Sequence, residues 1–221
     1  VIKSNKYLNL VGVCSHFADA DGVSETFTKS QIKRWEEIIL RFQKEFSTIK
    51  YFHISATAGT FFSEQTFGNV ARLGIGLYGV NPSPFVNLNL NPVLQMQSVI
   101  SSLRKVKTEE YIGYNITYKT KRDLTVATVS AGYFEGVDRR LSNCGFFKVD
   151  DTYCPIVGRV SMNITSIDVT AVPNVKFGDK VIIISDNAND RNSVENIAKI
   201  AQTIPWEIFV HIPQHLRRIV I

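Results

Sequence analysis

A chain of 221 residues, 44% hydrophobic and 20% charged, has the composition of a globular protein with one large or two modest cores. No run approaches the roughly 18 uninterrupted apolar residues of a membrane helix, and the opening Val1-Ile2-Lys3-Ser4-Asn5-Lys6 lacks the apolar stretch of a signal peptide, so the expected setting is cytoplasmic, with no membrane partner. The net charge of +5 is spread along the chain rather than gathered into a basic block, which argues against nucleic acid and suits an anionic small molecule bearing phosphate or carboxylate.

The first elements alternate strand and helix. Leu8 to Cys14 is a short, nearly continuous apolar run, as expected of a strand buried on both faces, and it leads into Ser15-His16-Phe17-Ala18-Asp19-Ala20-Asp21. Polar groups at the C-terminal end of such a strand are where α/β folds place ligands, although His16 on its own reads equally as a hydrogen-bonded core histidine. Thr28 with Gln31 predicts a capping box, followed by a helix whose Ile32, Trp35, Ile38, Ile39, Phe42 and Phe46 fall on one face. Tyr51 to Ile54 predicts a second strand, and the small residues Ser55 to Thr60 after it offer hydroxyls and close backbone to an anion. Val70 to Gly79 reads as a further strand with Arg72 near its start, where a guanidinium needs a partner to be buried.

The texture changes at Asn81-Pro82-Ser83-Pro84, which places a domain boundary near 85/86. Short alternating runs follow, at Val93 to Val106, Leu124 to Val129, Phe146 to Val149, Pro155 to Val160, Ile164 to Val169 and Val181 to Ser185, as in an antiparallel barrel or sandwich. A helix is expected from about Ser193 to Gln202, with Val194, Ile197, Ala198 and Ala201 on one face. Cys14, Cys144 and Cys154 are odd in number and have no CxxC pairing, so buried thiols are expected rather than a disulfide framework, and no metal site is suggested.

The stretch Ser130-Ala131-Gly132-Tyr133-Phe134-Glu135-Gly136 brackets a tyrosine with two glycines directly after a strand. It reads either as a hairpin end with a packed tyrosine or as a turn that holds a phenol at a working surface.

Taken in order, Ser-His-Phe-Ala-Asp-Ala-Asp from Ser15, Ala-Arg-Leu-Gly-Ile-Gly-Leu-Tyr-Gly from Ala71, Ala-Gly-Tyr-Phe-Glu-Gly from Ala131 and Ile-Val-Gly-Arg-Val-Ser-Met-Asn from Ile156 resemble the alanine racemase family over nearly the whole chain. The resemblance implies an α/β plus β fold: residues 1–85 as the C-terminal portion of a (β/α)8 barrel and residues 86–221 as an antiparallel β domain. It implies a pyridoxal 5'-phosphate enzyme that interconverts L- and D-alanine for cell-wall precursor supply, working as a homodimer with sites shared between subunits. By the same resemblance Tyr133 is one of two acid/base catalysts. Arg72 hydrogen-bonds the pyridine nitrogen of the cofactor, and His16 is linked to it. Thr57, Gly74 and Ile75 take the phosphate, Gln214 stands where some members carry a phosphate-contacting tyrosine, and the backbone N–H of Met162 receives the substrate carboxylate.

This assignment is chemically coherent. Racemisation removes a proton from one face of an amino-acid Cα and returns one to the other, which calls for two bases. A tyrosine, with an ordinary pKa near 10, needs cationic or hydrogen-bonding neighbours to act as one of them at neutral pH.

The sequence also departs from the family pattern. The cofactor lysine lies on an early barrel strand, and Lys3, Lys6, Lys29 and Lys33 do not sit in its motif, so the chain is expected to supply about the last three of the eight barrel strands and to depend on a missing segment. Asn-Ser reads Ala56-Thr57, Met-Asp reads Met162-Asn163, and a family Arg aligns with His215. These changes leave open a serine or broad-specificity racemase, or a non-catalytic dimerisation or ligand-binding fragment.

Overall fold

The computed structural model describes residues 1–86 and 88–221. They form two compact units, Val1–Leu90 and Asn91–Ile221.

The first unit is a β–α–β arrangement. Strand β1 (Gly12–Cys14) pairs in parallel with β2 (Tyr51–His53), in the register Gly12 to Tyr51 and Cys14 to His53, and helix α1 (Glu25–Glu45) makes the crossover. The helix buries Ile32, Trp35 and Ile39 against Phe17, Phe52, Ile54 and Phe62. Removing a side chain such as Ile39 from water contributes about 2 kcal/mol.

Its start differs from the predicted one. Ser24 is the N-cap, its Oγ accepting the Thr26 N–H at 3.4 Å, and the helix begins at Glu25. Thr28 is instead fully buried and donates to the Asp19 carbonyl at 3.1 Å, while Gln31 Oε1 accepts the Ala18 N–H at 3.0 Å. Both residues of the expected capping box tie the preceding loop onto the helix rather than cap it.

Two further expectations change. Only Gly12–Cys14 of the first apolar run is paired as strand. In place of a strand over 70–79 there is one parallel bridge, Ala56 to Arg72, followed by a 3-10 helix at Ile75–Tyr78 that ends on Gly79 in the left-handed region, at φ 79°. Gly74 and Gly76 let the backbone coil there: a Cβ on Gly76 would lie 2.7 Å from Thr57 Cγ2. The small-residue segment coils as well, as a 3-10 helix at Ala58–Gln65.

The second unit is built on a six-stranded sheet. In spatial order its strands are β8 (Thr152–Pro155), β7 (Phe146–Val149), β10 (Lys180–Ile184), β3 (Met96–Val106), β6 (Leu124–Val129) and β9 (Thr165–Asp168), all paired antiparallel. An isolated antiparallel bridge, Ile156 to Ile167, joins the two outer strands, so the sheet is nearly closed and little edge is left to pair with other chains.

This curling explains why β6 does not alternate cleanly. Val126 and Ala127, on opposite faces, are both buried, because the middle of the strand is covered on both sides. A small hairpin, β4 (Tyr111–Ile112) with β5 (Tyr118–Lys119), stands apart from the sheet. The predicted late helix is α2 (Val194–Ile200), N-capped by Ser193, and a further short helix, α3 (Pro205–Val210), starts on a proline at its first turn. Cys154 is buried as expected, whereas Cys14 and Cys144 are exposed. No helix among the described residues is long and apolar enough to cross a membrane.

Candidate active site

In the first unit the polar residues gather at the C-terminal ends of β1 and β2. Arg72 is held there by an array of acceptors. Its N–H donates to the Ser55 carbonyl at 2.9 Å, extending the strand pairing by one step. Nη2 donates to the Ser15 carbonyl at 2.8 Å and to His16 Nδ1 at 2.9 Å, and Nη1 donates to the His53 carbonyl at 3.2 Å and to His53 Nδ1. A guanidinium only donates, so both imidazoles must accept through Nδ1 and carry their proton on Nε2. The Arg72 Nε–H donates to no group among the described residues.

Sequence reasoning grouped Arg72 with His16 and missed His53. The available signal was a histidine at the end of the strand next to the one that leads into His16, since the register sets Cys14 against His53.

Thr57, Gly74 and Ile75 come together beside this array. Thr57 is buried, and its Oγ1 accepts the N–H groups of Gly74 at 3.1 Å and Gly76 at 3.3 Å. Two backbone donors therefore converge on one oxygen, the arrangement by which a turn receives an anion. Ile75 is buried beneath it, and a Cβ on Gly74 would meet nothing within 4 Å.

In the second unit Tyr133 sits on a 3-10 turn, Tyr133–Glu135, just past the end of β6, with 45% of its surface exposed. The turn lies against the loop that carries Met162. The Tyr133 N–H donates to the Ser161 carbonyl at 3.0 Å, and the Phe134 N–H donates to the Met162 carbonyl at 2.9 Å. A Cβ on Gly132 would fall 2.2 Å from the Ser161 oxygen, so only glycine permits this approach. Gly136 closes the turn at φ 93°.

Next along the chain, Asp138 caps the turn Arg139–Leu141. Burial pushes its carboxyl up, but hydrogen bonds from the Arg140 guanidinium and amide outweigh burial and hold it below the usual carboxylate range. Arg140 reaches Glu207 of α3 at 3.1 Å. Gln214 is exposed on the C-terminal segment, and its neighbour His215 stacks on Phe134 at 4.9 Å. The predicted residues thus form two groups: His16, Thr57, Arg72, Gly74 and Ile75 in one unit, and Tyr133, Met162 and Gln214 in the other.

Two family models match the chain: alanine racemase, N-terminal domain, over residues 1–82, and alanine racemase, C-terminal domain, over residues 93–220. Alanine racemase 2 of Caldanaerobacter subterraneus subsp. tengcongensis is 35% identical over 216 residues, which is 97% of this chain and 56% of the relative. Alanine racemase of Clostridium difficile 630, solved in complex with cycloserine, superposes with a TM-score of 0.86 at 28% identity, over 97% of this chain and 57% of that one. Alanine racemase of Bartonella henselae, solved with covalently bound pyridoxal phosphate, superposes with a TM-score of 0.83 at 26% identity, over 95% of this chain and 56% of that one. The chain spans about half the length of the curated relatives it matches. With both domain models matched in order, this chain belongs to the alanine racemase family.

Proposed function

We propose that this chain is the C-terminal part of a pyridoxal-phosphate-dependent amino-acid racemase, most simply one that interconverts L- and D-alanine for cell-wall precursor supply in the cytoplasm. The observation that carries the reading is the arrangement of Arg72. Its two terminal nitrogens are tied to His16, His53 and backbone carbonyls, while its Nε–H, a permanently protonated donor, has no partner among the described residues. Such a donor fits a neutral ring nitrogen that accepts. The Thr57 hydroxyl, brought beside the exposed Gly74 and the start of the Ile75 turn by the Gly74 N–H hydrogen bond, fits the phosphate of the same group.

When bound, pyridoxal phosphate supplies delocalisation of the charge left at the amino-acid Cα once its proton departs. This chain's residues would do the rest. Arg72 would hold the ring nitrogen unprotonated and so restrain side reactions, and His16 and His53 would keep the guanidinium from turning. Thr57, Gly74 and Ile75 would take the phosphate, assisted by Gln214. Tyr133 would move a proton on one face of Cα, and the Met162 N–H would receive the substrate carboxylate, both serving the site of a partner subunit in a head-to-tail dimer. The second base is the family lysine, expected on a segment that carries the other barrel strands. The exposed Leu8, Val11 and Tyr51 beside the two-stranded parallel sheet support further structure covering it, since parallel strands are ordinarily buried.

The test is racemisation of L-alanine, beside L-serine and L-lysine, after the lysine-bearing segment is supplied, with Tyr133→Phe as the control. The expected result is turnover of L-alanine that Tyr133→Phe lowers by at least about a hundredfold. Undiminished turnover in Tyr133→Phe would remove Tyr133 as a catalyst, and preference for another amino acid would redefine the substrate.

A further inference from the structure

No side-chain hydrogen bond holds the Tyr133 phenol among the described residues, so its place is set by the backbone beneath it. That backbone is tied to the Met162 loop by two bonds that run the same way, from the N–H groups of Tyr133 and Phe134 to the carbonyls of Ser161 and Met162. One side-chain bridge runs back. Glu135 Oε2 accepts the Gly132 N–H at 2.8 Å, and Glu135 Oε1 accepts an N–H of Asn163 Nδ2 at 2.9 Å. A single carboxylate thus joins the first residue of the tyrosine turn to the residue after Met162.

We propose that Glu135 and Asn163 are a positioning pair that locks the Tyr133 turn onto the Met162 loop and so sets where the phenol and the Met162 N–H stand relative to each other. The proposal rests on the reading of those two groups as substrate-facing.

The chemistry of the pair is directional. A carboxylate only accepts, so both of its oxygens need donors, and Asn163 has a donor to give, whereas an aspartate at that position has none. Asn163 therefore supplies the donor that the second oxygen of Glu135 accepts. The contact at Gly132 leaves no slack: with the Ser161 oxygen 2.2 Å from where a Cβ would stand, any splaying of the two loops moves Tyr133 and Met162 apart. Other charges are close. Arg217 and Arg218 line a cavity of about 440 Å³ together with Glu135, and His215 stacks on Phe134. They remain unchanged in every variant below, and the double variant, which keeps a single carboxylate at the pair, is the comparison in which the charge they face matches the unaltered chain.

The experiment is hydrogen exchange at the Gly132 and Tyr133 amides of the 221-residue chain, followed by NMR from pH 5 to pH 8 and corrected for intrinsic rates. It compares the unaltered chain with Asn163→Asp, Glu135→Gln and the double variant. Asn163 is exposed, so its substitution leaves the core intact. Asn163→Asp sets two carboxylates at hydrogen-bond distance, and both cannot be ionised there without parting. At pH 8 its amides are expected to exchange about tenfold faster than those of the unaltered chain, the difference shrinking towards pH 5 as the pair takes up one proton.

Glu135→Gln with Asn163→Asp restores a donor–acceptor match: the introduced amide accepts the Gly132 N–H through its oxygen and donates through its nitrogen to the introduced carboxylate. Exchange in the double variant is expected to return to within about threefold of the unaltered chain and to lose the pH dependence. Glu135→Gln alone keeps a match by reversing the Asn163 amide and should exchange nearly as the unaltered chain does. Unchanged exchange in Asn163→Asp at pH 8, or a double variant as fast as Asn163→Asp, overturns the pair. These rates are read without turnover, so failure of the pair is separate from failure of Tyr133 as a catalyst, which Tyr133→Phe decides.

Discussion

Thr57 shows how much depends on one oxygen. Its hydroxyl is the acceptor for the Gly74 and Gly76 N–H groups, in a turn where no strand pairing is available to them. Thr57→Val keeps the shape and removes the acceptor, so unfolding in urea should show a loss of about 1 kcal/mol, the net worth of the hydrogen bonds at a turn that water can reach. The proposal of Thr57 as a hydroxyl offered to an anion came from its place among small residues after a strand. That the hydroxyl also closes the glycine turn was not legible, because the two segments are far apart in sequence. Arg72 behaves likewise: its need for partners was legible from its place in an apolar run, but their identity, with His53 among them, depends on the register of β1 against β2.

At the scale of elements, periodicity served well where a segment has one buried face. Ile32, Trp35 and Ile39 of α1 bury as their spacing requires. The helix start was misplaced because Ser24, Thr26 and Thr28 are all plausible caps by residue type, and burial of Thr28 decides against it. Ser24→Ala should therefore lower stability by about 1 kcal/mol in urea unfolding, the loss of a helix N-cap. Glycine misled in the other direction. The apolar run around Ile75 reads as a strand, yet Gly74, Gly76 and Gly79 allow it to coil into a 3-10 turn. Helix α3 escaped prediction because it is only six residues long, too short for its period to show.

At the scale of the whole molecule, the second unit carries a polar cluster that ties its late strands to α2. Asp190 accepts from Ser185 Oγ at 2.7 Å, Tyr153 OH at 2.8 Å and Lys148 Nζ at 3.1 Å. Burial pushes the Asp190 carboxyl up, but these hydrogen bonds outweigh burial and hold it below its ordinary range. The hydrogen bond with Asp190 raises Lys148 and, together with burial, raises Tyr153. The signs follow. The Asp190 contribution is present above the unfolded carboxylate range, about pH 4, and is lost as pH falls through the lowered folded value. The Lys148 and Tyr153 contributions are present below about pH 10 and are lost as pH rises through their raised values. Asp190→Ala should cost about 1–2 kcal/mol at pH 7, because it takes the acceptor from the buried Ser185 hydroxyl and the half-buried Lys148, and should flatten both limbs when urea unfolding is followed from pH 3 to pH 11. Equal acid and alkaline slopes with and without Asp190 would count against this account.

By itself the sequence determined the opening strand–helix–strand order, the change from α/β to β texture, the polar residues at the strand ends and the motifs that place the chain in its family. These are local matters of period, propensity and spacing. Only the tertiary structure decided which acceptors fix Arg72, how the Gly74 turn closes on Thr57, and that the turn opened by Gly132 is clasped to the Met162 loop through Glu135 and Asn163. Each of these joins residues well separated in the chain through a hydrogen bond or a close approach of backbones, and such contacts depend on strand register and sheet curvature, which a linear pattern does not carry.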